Sequence, residues 1–172
     1  LTVSELKARM MNTANIDVFN SPTSQAGVLA PIARIGGGEV RAVPAKDATG
    51  AMWDAADPAG VSLSFGYLAA SSSKLLRKRV EVKNYTGAAK TWTITPTFRY
   101  SSDQASGAVQ FTTPSTVTVP ANSSTVFNVN VSINPALLPQ WRSGGGGVGM
   151  NSGSNGANGV LMRSVEYDGY IT

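Results

Sequence analysis

From residue 61 onward, apolar and polar residues alternate with a period of two, and this pattern constrains the fold more than any other feature. The alternation is clearest in residues 61–67, 91–100 and 125–133. Successive side chains of a strand point to opposite faces, so each stretch predicts a strand with one buried face and one solvated face. With the turn residues between them, the pattern predicts seven strands, at 61–68, 77–84, 91–100, 108–112, 116–119, 125–133 and 165–172.

Seven short alternating strands predict a mainly β fold, a seven-stranded antiparallel β-sandwich of the immunoglobulin or fibronectin type III kind over residues 61–172. Pro96 lies inside the third predicted strand and indicates an edge position or a bulge there, because proline cannot donate to a strand ladder. The residues predicted to form the core are Phe65, Val82, Trp92, Ile94, Phe127 and Val129.

A short helix is predicted before the sandwich, at residues 1–14. Thr2 is a good N-cap, and Glu5 follows three residues later, which is the capping-box pattern. Apolar side chains at helical spacing form one stripe that needs a partner, made of Val3, Leu6, Met10 and Ala14. An isolated helix of this length is marginal in water, so we expect the helix either to fray or to dock its stripe on the sandwich or on another copy of the chain.

The remaining segments predict how the chain is divided. Residues 15–34 are predicted as a loop, a glycine-rich stretch follows at 35–40, and residues 46–60 are predicted as a linker. The predicted units are therefore 1–45, the linker and the sandwich at 61–172. Eight glycines in residues 144–159 predict a flexible insertion in the sandwich, because this stretch lacks the Gly-Lys-Ser/Thr ending of a phosphate-binding loop.

The chain contains no histidine and no cysteine. This excludes, within the chain, a Ser-His-Asp triad, a His-based zinc site, disulfides and cysteine nucleophiles. Of the common hydrolytic mechanisms, those that use a carboxylate pair or a Ser-Lys dyad need neither residue and are not excluded. The nearest acidic pairs are Asp54 with Asp57 and Glu166 with Asp168, and a solvated strand edge explains the second pair equally well. We predict no catalytic, cofactor-binding or metal-binding residues in this chain.

The net charge of +4 includes one basic cluster, at residues 77–79, with Lys74 and Lys83 nearby. A nucleic-acid interface would need more positive charge on one face and aromatic residues to stack bases. A solvated strand face is the simpler interpretation, because charged residues alternate here with Val80 and Val82. The sequence has no apolar run of about 18 residues. We therefore expect neither a nucleic-acid partner nor a membrane span.

Two motifs resemble elements of the subtilisin family of serine proteases. Residues 1–14 resemble the last helix of its catalytic domain, approximately Ser/Thr-x-x-x-Ile-Lys-x-x-Leu-Met-x-Thr-Ala. Lys7, Met11, Thr13 and Ala14 fall on this pattern, while Leu6 replaces Ile and Met10 replaces Leu. The family then closes its catalytic domain with Gly-x-Gly-x-Val, which Gly36, Gly38 and Val40 match.

The rest of the chain resembles the fibronectin-type-III-like domain that follows the protease domain in many secreted subtilisin-like enzymes. The segments that carry this resemblance are 62–66, 80–84, 117–124 and 166–171. Together the two resemblances span nearly the whole chain. The insertion at 144–159 departs from the family, because it is longer and richer in glycine than the resemblance implies.

The resemblance implies that residues 1–45 end a catalytic domain whose Asp, His and Ser lie upstream. The family's Gly-Thr-Ser-Met-Ala-x-Pro nucleophile stretch is absent here, so no catalytic residue carries over. Because the chain opens on Leu1, we expect a processed or truncated piece. The implied function is a non-catalytic accessory region of a secreted or cell-surface endopeptidase. It would brace the catalytic domain or position protein substrates.

The alternative is a free-standing adhesion or carbohydrate-binding sandwich. Carbohydrate binding would call for exposed aromatic platforms, and Trp53 and Trp141 lie outside the predicted strands. A capping or interface role explains them too. The helix and the Gly-x-Gly segment favour the protease interpretation, because a free sandwich has no use for them. The expected partners are the parent catalytic domain, protein substrates and a second copy that associates through the exposed helix.

Overall fold

A computed structural model describes residues 1–21, 23, 25–138 and 166–172. The protein is mainly β, with antiparallel sheets, none of them closed. The helices among the described residues are α1 (Val3–Asn12), α2 (Ile32–Ile35), α3 (Ala42–Asp47) and α4 (Ser101–Ser106), with a 3₁₀ turn at Pro135–Leu137. The strands are β1 (Phe19–Ser21), β2 (Gln25–Leu29), β3 (Gly50–Asp54), β4 (Lys74–Asn84), β5 (Lys90–Thr93), β6 (Pro96–Phe98), β7 (Val109–Thr112), β8 (Thr116–Val119), β9 (Ser124–Ile133) and β10 (Gly169–Ile171).

A four-stranded sheet in the order β3-β4-β9-β7 is the centre of the fold. Its two long strands, β4 and β9, pair from Lys74↔Ile133 to Lys83↔Ser124. Because side chains alternate between faces, every second residue of β9 from Phe127 to Ile133 is buried. Three smaller sheets, β5-β8, β6-β10 and β1-β2, have two strands each.

The main core lies on one face of the central sheet. Val82, Ile94, Phe127 and Val129 are buried there, which confirms four of the six predicted core residues. Phe65 and Trp92 are only partly buried, but both pack against this core. The alternation in the sequence therefore identified the buried face of β4 and β9 correctly.

The strand predicted at 61–68 is wrong, because these residues form no strand. Val61 and Gly66 have φ angles of 61° and 67°, which an extended ladder does not accommodate. Leu63 and Phe65 still pack on the core while Ser62 and Ser64 are exposed. The alternation in residues 61–68 therefore predicts correctly which side chains pack on the core, although the segment pairs with no strand in the described part of the chain.

Residues 46–60, predicted as a linker, contain the end of α3 and the whole of β3. β3 pairs antiparallel with β4 from Gly50↔Asn84 to Asp54↔Val80. The strand predicted at 91–100 is also two strands, since β5 ends at Thr93 and β6 begins at Pro96. The second strand begins at Pro96, the residue that indicated an edge position or a bulge in the sequence.

The N-terminal helix is confirmed, with both hydrogen bonds of the Thr2–Glu5 capping box. Its apolar stripe, however, does not face the sheet: Val3 is 87% exposed and Leu6 is 50% exposed. Ala8, at 0% exposure, is the contact residue instead, and it packs with Met11 against Ala51, Trp53 and Val61. A small residue is needed there because the helix lies close to the sheet.

The described part of the C-terminal segment contains β10, which pairs with β6. Trp141, the insertion at 144–159 and residue 165 lie outside the described residues. None of the helices in the described ranges has the length and apolarity needed to span a lipid bilayer.

Candidate functional site

A cleft of about 540 Å³ lies between residues of the first 37 positions and the central sheet with its neighbouring strands β6 and β10. Its walls are mainly apolar, with contributions from Met11, Ile16, Ile32, Met52, Phe65 and Phe111. β10 and the residues beside it, including Asp168, form another wall. The volume is in the range of pockets that hold small ligands.

The side chain of Arg99, the residue after β6, forms hydrogen bonds with residues 16–30 and with β10. Its side chain is 8% exposed, and its Nε donates to the carbonyl oxygen of Ala30. Nη1 donates to Ile16 O at 3.0 Å and to Tyr170 Oη at 2.8 Å, and Nη2 donates to Val18 O at 3.2 Å. One buried guanidinium therefore connects the backbone of residues 15–35, here called the N-terminal segment, to β6 and β10.

Asp168 makes a second link between the same parts. Its Oδ2 accepts a hydrogen bond of 2.7 Å from the backbone N–H of Ile32, the first residue of α2. Its Oδ1 is buried and has no hydrogen-bond partner among the described residues. Burial raises the pKa of Asp168, although the Ile32 N–H and the charge of Arg99 both act to lower it. Arg99 and Asp168 together are called the clamp below.

The acidic pair Glu166 and Asp168 is brought close enough for the two charges to interact. Burial, and then the charge of Asp168, raise the pKa of Glu166. A catalytic pair would need both carboxyl groups free to reach a substrate. Asp168 instead has one oxygen bonded to Ile32 and the other buried away from solvent. Asp168 therefore holds the start of α2 in place.

The acidic pair Asp54 and Asp57 shapes the turn after β3. Asp54 Oδ2 lies 2.8 Å from Lys78 Nζ, and its Oδ1 accepts from Ala56 N at 2.9 Å. Burial acts to raise the pKa of Asp54, but the hydrogen bonds from Lys78 and from the backbone N–H groups of Ala56 and Asp57 outweigh it, and the pKa is lowered. Asp57 Oδ1 accepts from Gly60 N. Both carboxylates are therefore occupied by local structure.

The aromatic and basic candidates also have structural positions. Trp53 is 7% exposed and packs with Ala8, so it offers no exposed platform for a sugar. Arg77 and Arg79 are exposed on the outer face of β4, and Arg77 Nε donates to Asn130 Oδ1 at 3.2 Å. This is the solvated strand face that the alternation predicts.

Arg99 and Asn84 are among the buried polar residues that the sequence analysis missed. Arg99 was assigned to a polar, solvent-facing position of a strand, and its only sequence signal is a charge among uncharged neighbours. Asn84 is fully buried, and its Nδ2 donates to the carbonyl oxygens of Ala88, Val119 and Pro120. Asparagine at a strand end before a turn was the available signal.

No group of three or more acidic side chains in the described part of the chain is placed to hold a metal ion. No protein-family model matches the sequence, and no curated protein matches it.

Proposed function

We propose that this chain is the non-catalytic accessory region of a secreted or cell-surface subtilisin-like serine endopeptidase. Residues 1–45 would end the catalytic domain, and residues 61–172 would be a fibronectin-type-III-like sandwich. The region would brace the catalytic domain or position protein substrates.

One observation carries the proposal: the two motifs that resemble the protease family pack against each other. Gly37 lies against Met11 of α1, and a Cβ on Gly38 would collide with the carbonyl oxygen of Asn15. Gly38 also has a φ of 107°, which favours glycine, so that position needs glycine on two grounds. Asn15 and Glu39 form an antiparallel bridge beside it. Motifs that are separate in sequence thus behave as one structural unit.

The bracing role is supported by how α1 meets the central sheet. Lys7 Nζ donates to Ala59 O at 2.6 Å, and Arg9 Nη2 donates to Ala48 O at 2.7 Å. Asn12 Oδ1 accepts from the backbone N–H of Met52 in β3 at 2.6 Å. A domain attached to α1 would therefore be coupled to the central sheet by directional bonds as well as by Ala8.

The assignment as non-catalytic is supported by the absence of histidine and by the structural use of the carboxylates. The purified chain should hydrolyse no peptide bond in unstructured casein. Casein hydrolysis that survives repurification and is blocked by a serine-directed inhibitor would overturn this assignment.

The protease assignment is tested by the coding sequence upstream of Leu1. It should encode a Gly-Thr-Ser-Met-Ala-x-Pro stretch shortly before α1, with the triad Asp and His further upstream. An upstream sequence without these residues would overturn the assignment and favour a free-standing module.

A further inference from the structure

The two carboxylate oxygens of Asp168, which lies between the N-terminal segment and β10, differ in their hydrogen bonding. Oδ2 accepts from Ile32 N, whereas Oδ1 is buried and has no hydrogen-bond partner in the described part of the chain. An ionised carboxylate has about four acceptor sites, and leaving them unmet away from water is unfavourable. A proton on Oδ1 would remove the charge and leave Oδ2 free to accept from Ile32.

We propose that the clamp is a pH-dependent latch, which holds the N-terminal segment against β6 and β10 more tightly in acid than at neutral pH. The protonated Asp168 keeps its bond to Ile32 without the penalty of a buried charge. Ionisation restores that penalty while the segment is docked, and opening relieves it because water then solvates the carboxylate.

The charges around Asp168 do not reverse this direction. Arg99, at the end of β6, favours the ionised form, but its guanidinium is shared among three backbone carbonyls and Tyr170. Glu166, on the β10 side, disfavours a second negative charge. Asp17, in the N-terminal segment, acts on Tyr170. Arg34 of α2 is exposed and donates to Asn20 Oδ1.

The sign of the pH effect follows from the raised pKa of Asp168. The docked segment binds the proton more tightly than the open one, so docking is most favourable below the ordinary carboxyl range. It weakens as the pH rises toward the elevated pKa, and it levels off above that value. Each unit by which the pKa is raised weakens docking about tenfold.

The latch also bears on the cleft, because Ile32 and Asp168 both line it. Opening at this bond separates two of its walls. The apolar interior therefore becomes more accessible at neutral pH than in acid, and a neutral dye such as Nile red is a suitable probe of it.

The test is hydrogen exchange of the whole chain by NMR, from about pH 3 to pH 8, with the protection factor of the Ile32 amide as the readout. In the wild type, protection should fall as the pH rises and then level off. Asp168→Asn, which resembles the protonated acid, should stay protected at every pH and bind less Nile red at neutral pH. Glu166→Gln is the matched control and should keep the pH dependence.

Two results would overturn the latch. One is wild-type protection at Ile32 that does not change over this range. The other is an Asp168→Asn variant that loses protection at every pH, which would mean that the ionised carboxylate holds α2.

Discussion

Replacing Arg99 with methionine removes the guanidinium of the clamp but keeps an unbranched side chain of similar length. The change removes the donor to the carbonyl oxygen of Ala30, whereas the carbonyl oxygens of Ile16 and Val18 lose one donor each but keep the backbone N–H groups of Val18 and Ala30. It also removes the positive charge of Arg99, which acts to lower the pKa of Asp168. Both effects act on the folded state, so the variant should unfold more easily.

The size of the effect follows from these contacts. A buried group that loses its hydrogen-bond partner costs about 1–3 kcal/mol, which applies in full to Ala30 O and only in part to Ile16 O and Val18 O, because these two keep a backbone donor. The bond from the charged guanidinium to Tyr170 Oη is lost as well, and a hydrogen bond to a charged group contributes about 1.5–3 kcal/mol. We therefore expect Arg99→Met to lower the free energy of unfolding by about 4 kcal/mol and the Tm by roughly 8–16 °C.

Urea unfolding and differential scanning calorimetry measure both quantities. Arg77→Met is the matched control, because Arg77 is exposed and makes one side-chain bond, to Asn130. It should change stability by no more than about 0.5 kcal/mol. Arg99→Lys should recover little, since one ammonium group cannot reach the positions that the guanidinium spans. A loss below about 1 kcal/mol in Arg99→Met would refute the role assigned to the clamp.

Three further predictions concern other parts of the chain. Phe127→Ala should lower stability by about 3–5 kcal/mol, measured by urea unfolding, because Phe127 is buried in the main core; a loss under about 1 kcal/mol would contradict its placement. Asn84→Ala should lower stability by about 2–4 kcal/mol, since the carbonyls of Ala88, Val119 and Pro120 lose a donor in one buried and two part-buried hydrogen bonds, and an unchanged Tm would contradict this. Changing Val3 and Leu6 together to Lys should reduce self-association in sedimentation velocity without moving the Tm, because both side chains are exposed; a large fall in Tm would mean that they are packed.

The sequence predicted best where one local rule determines the outcome. Thr2 and Glu5 form the capping box because both hydrogen bonds lie within one helical turn. The alternation in β9 predicted Phe127 and Val129 as core, since a shift of one residue would expose every apolar side chain of that strand.

The sequence predicted poorly where tertiary contacts decide. Residues 61–68 alternate because one side packs on the core, yet they pair with no strand among the described residues. β3 was missed because its five residues, Gly-Ala-Met-Trp-Asp, show no alternation of apolar and polar side chains. Its strand conformation is stabilised by pairing with β4, which is distant in sequence. Arg99 was placed on a solvated face because its partners are backbone carbonyls about 70–80 residues away, which no local pattern contains.

Bracing requires that α1 and the central sheet unfold together. Native-state hydrogen exchange in low concentrations of denaturant tests this most directly, by comparing the amides of Ala8 and Met11 with those of Val80 and Val129. If the chain is a brace, the four amides share one opening free energy and the same dependence on denaturant. Exchange of the α1 amides near the unprotected rate, while Val80 and Val129 stay protected, would contradict the bracing role.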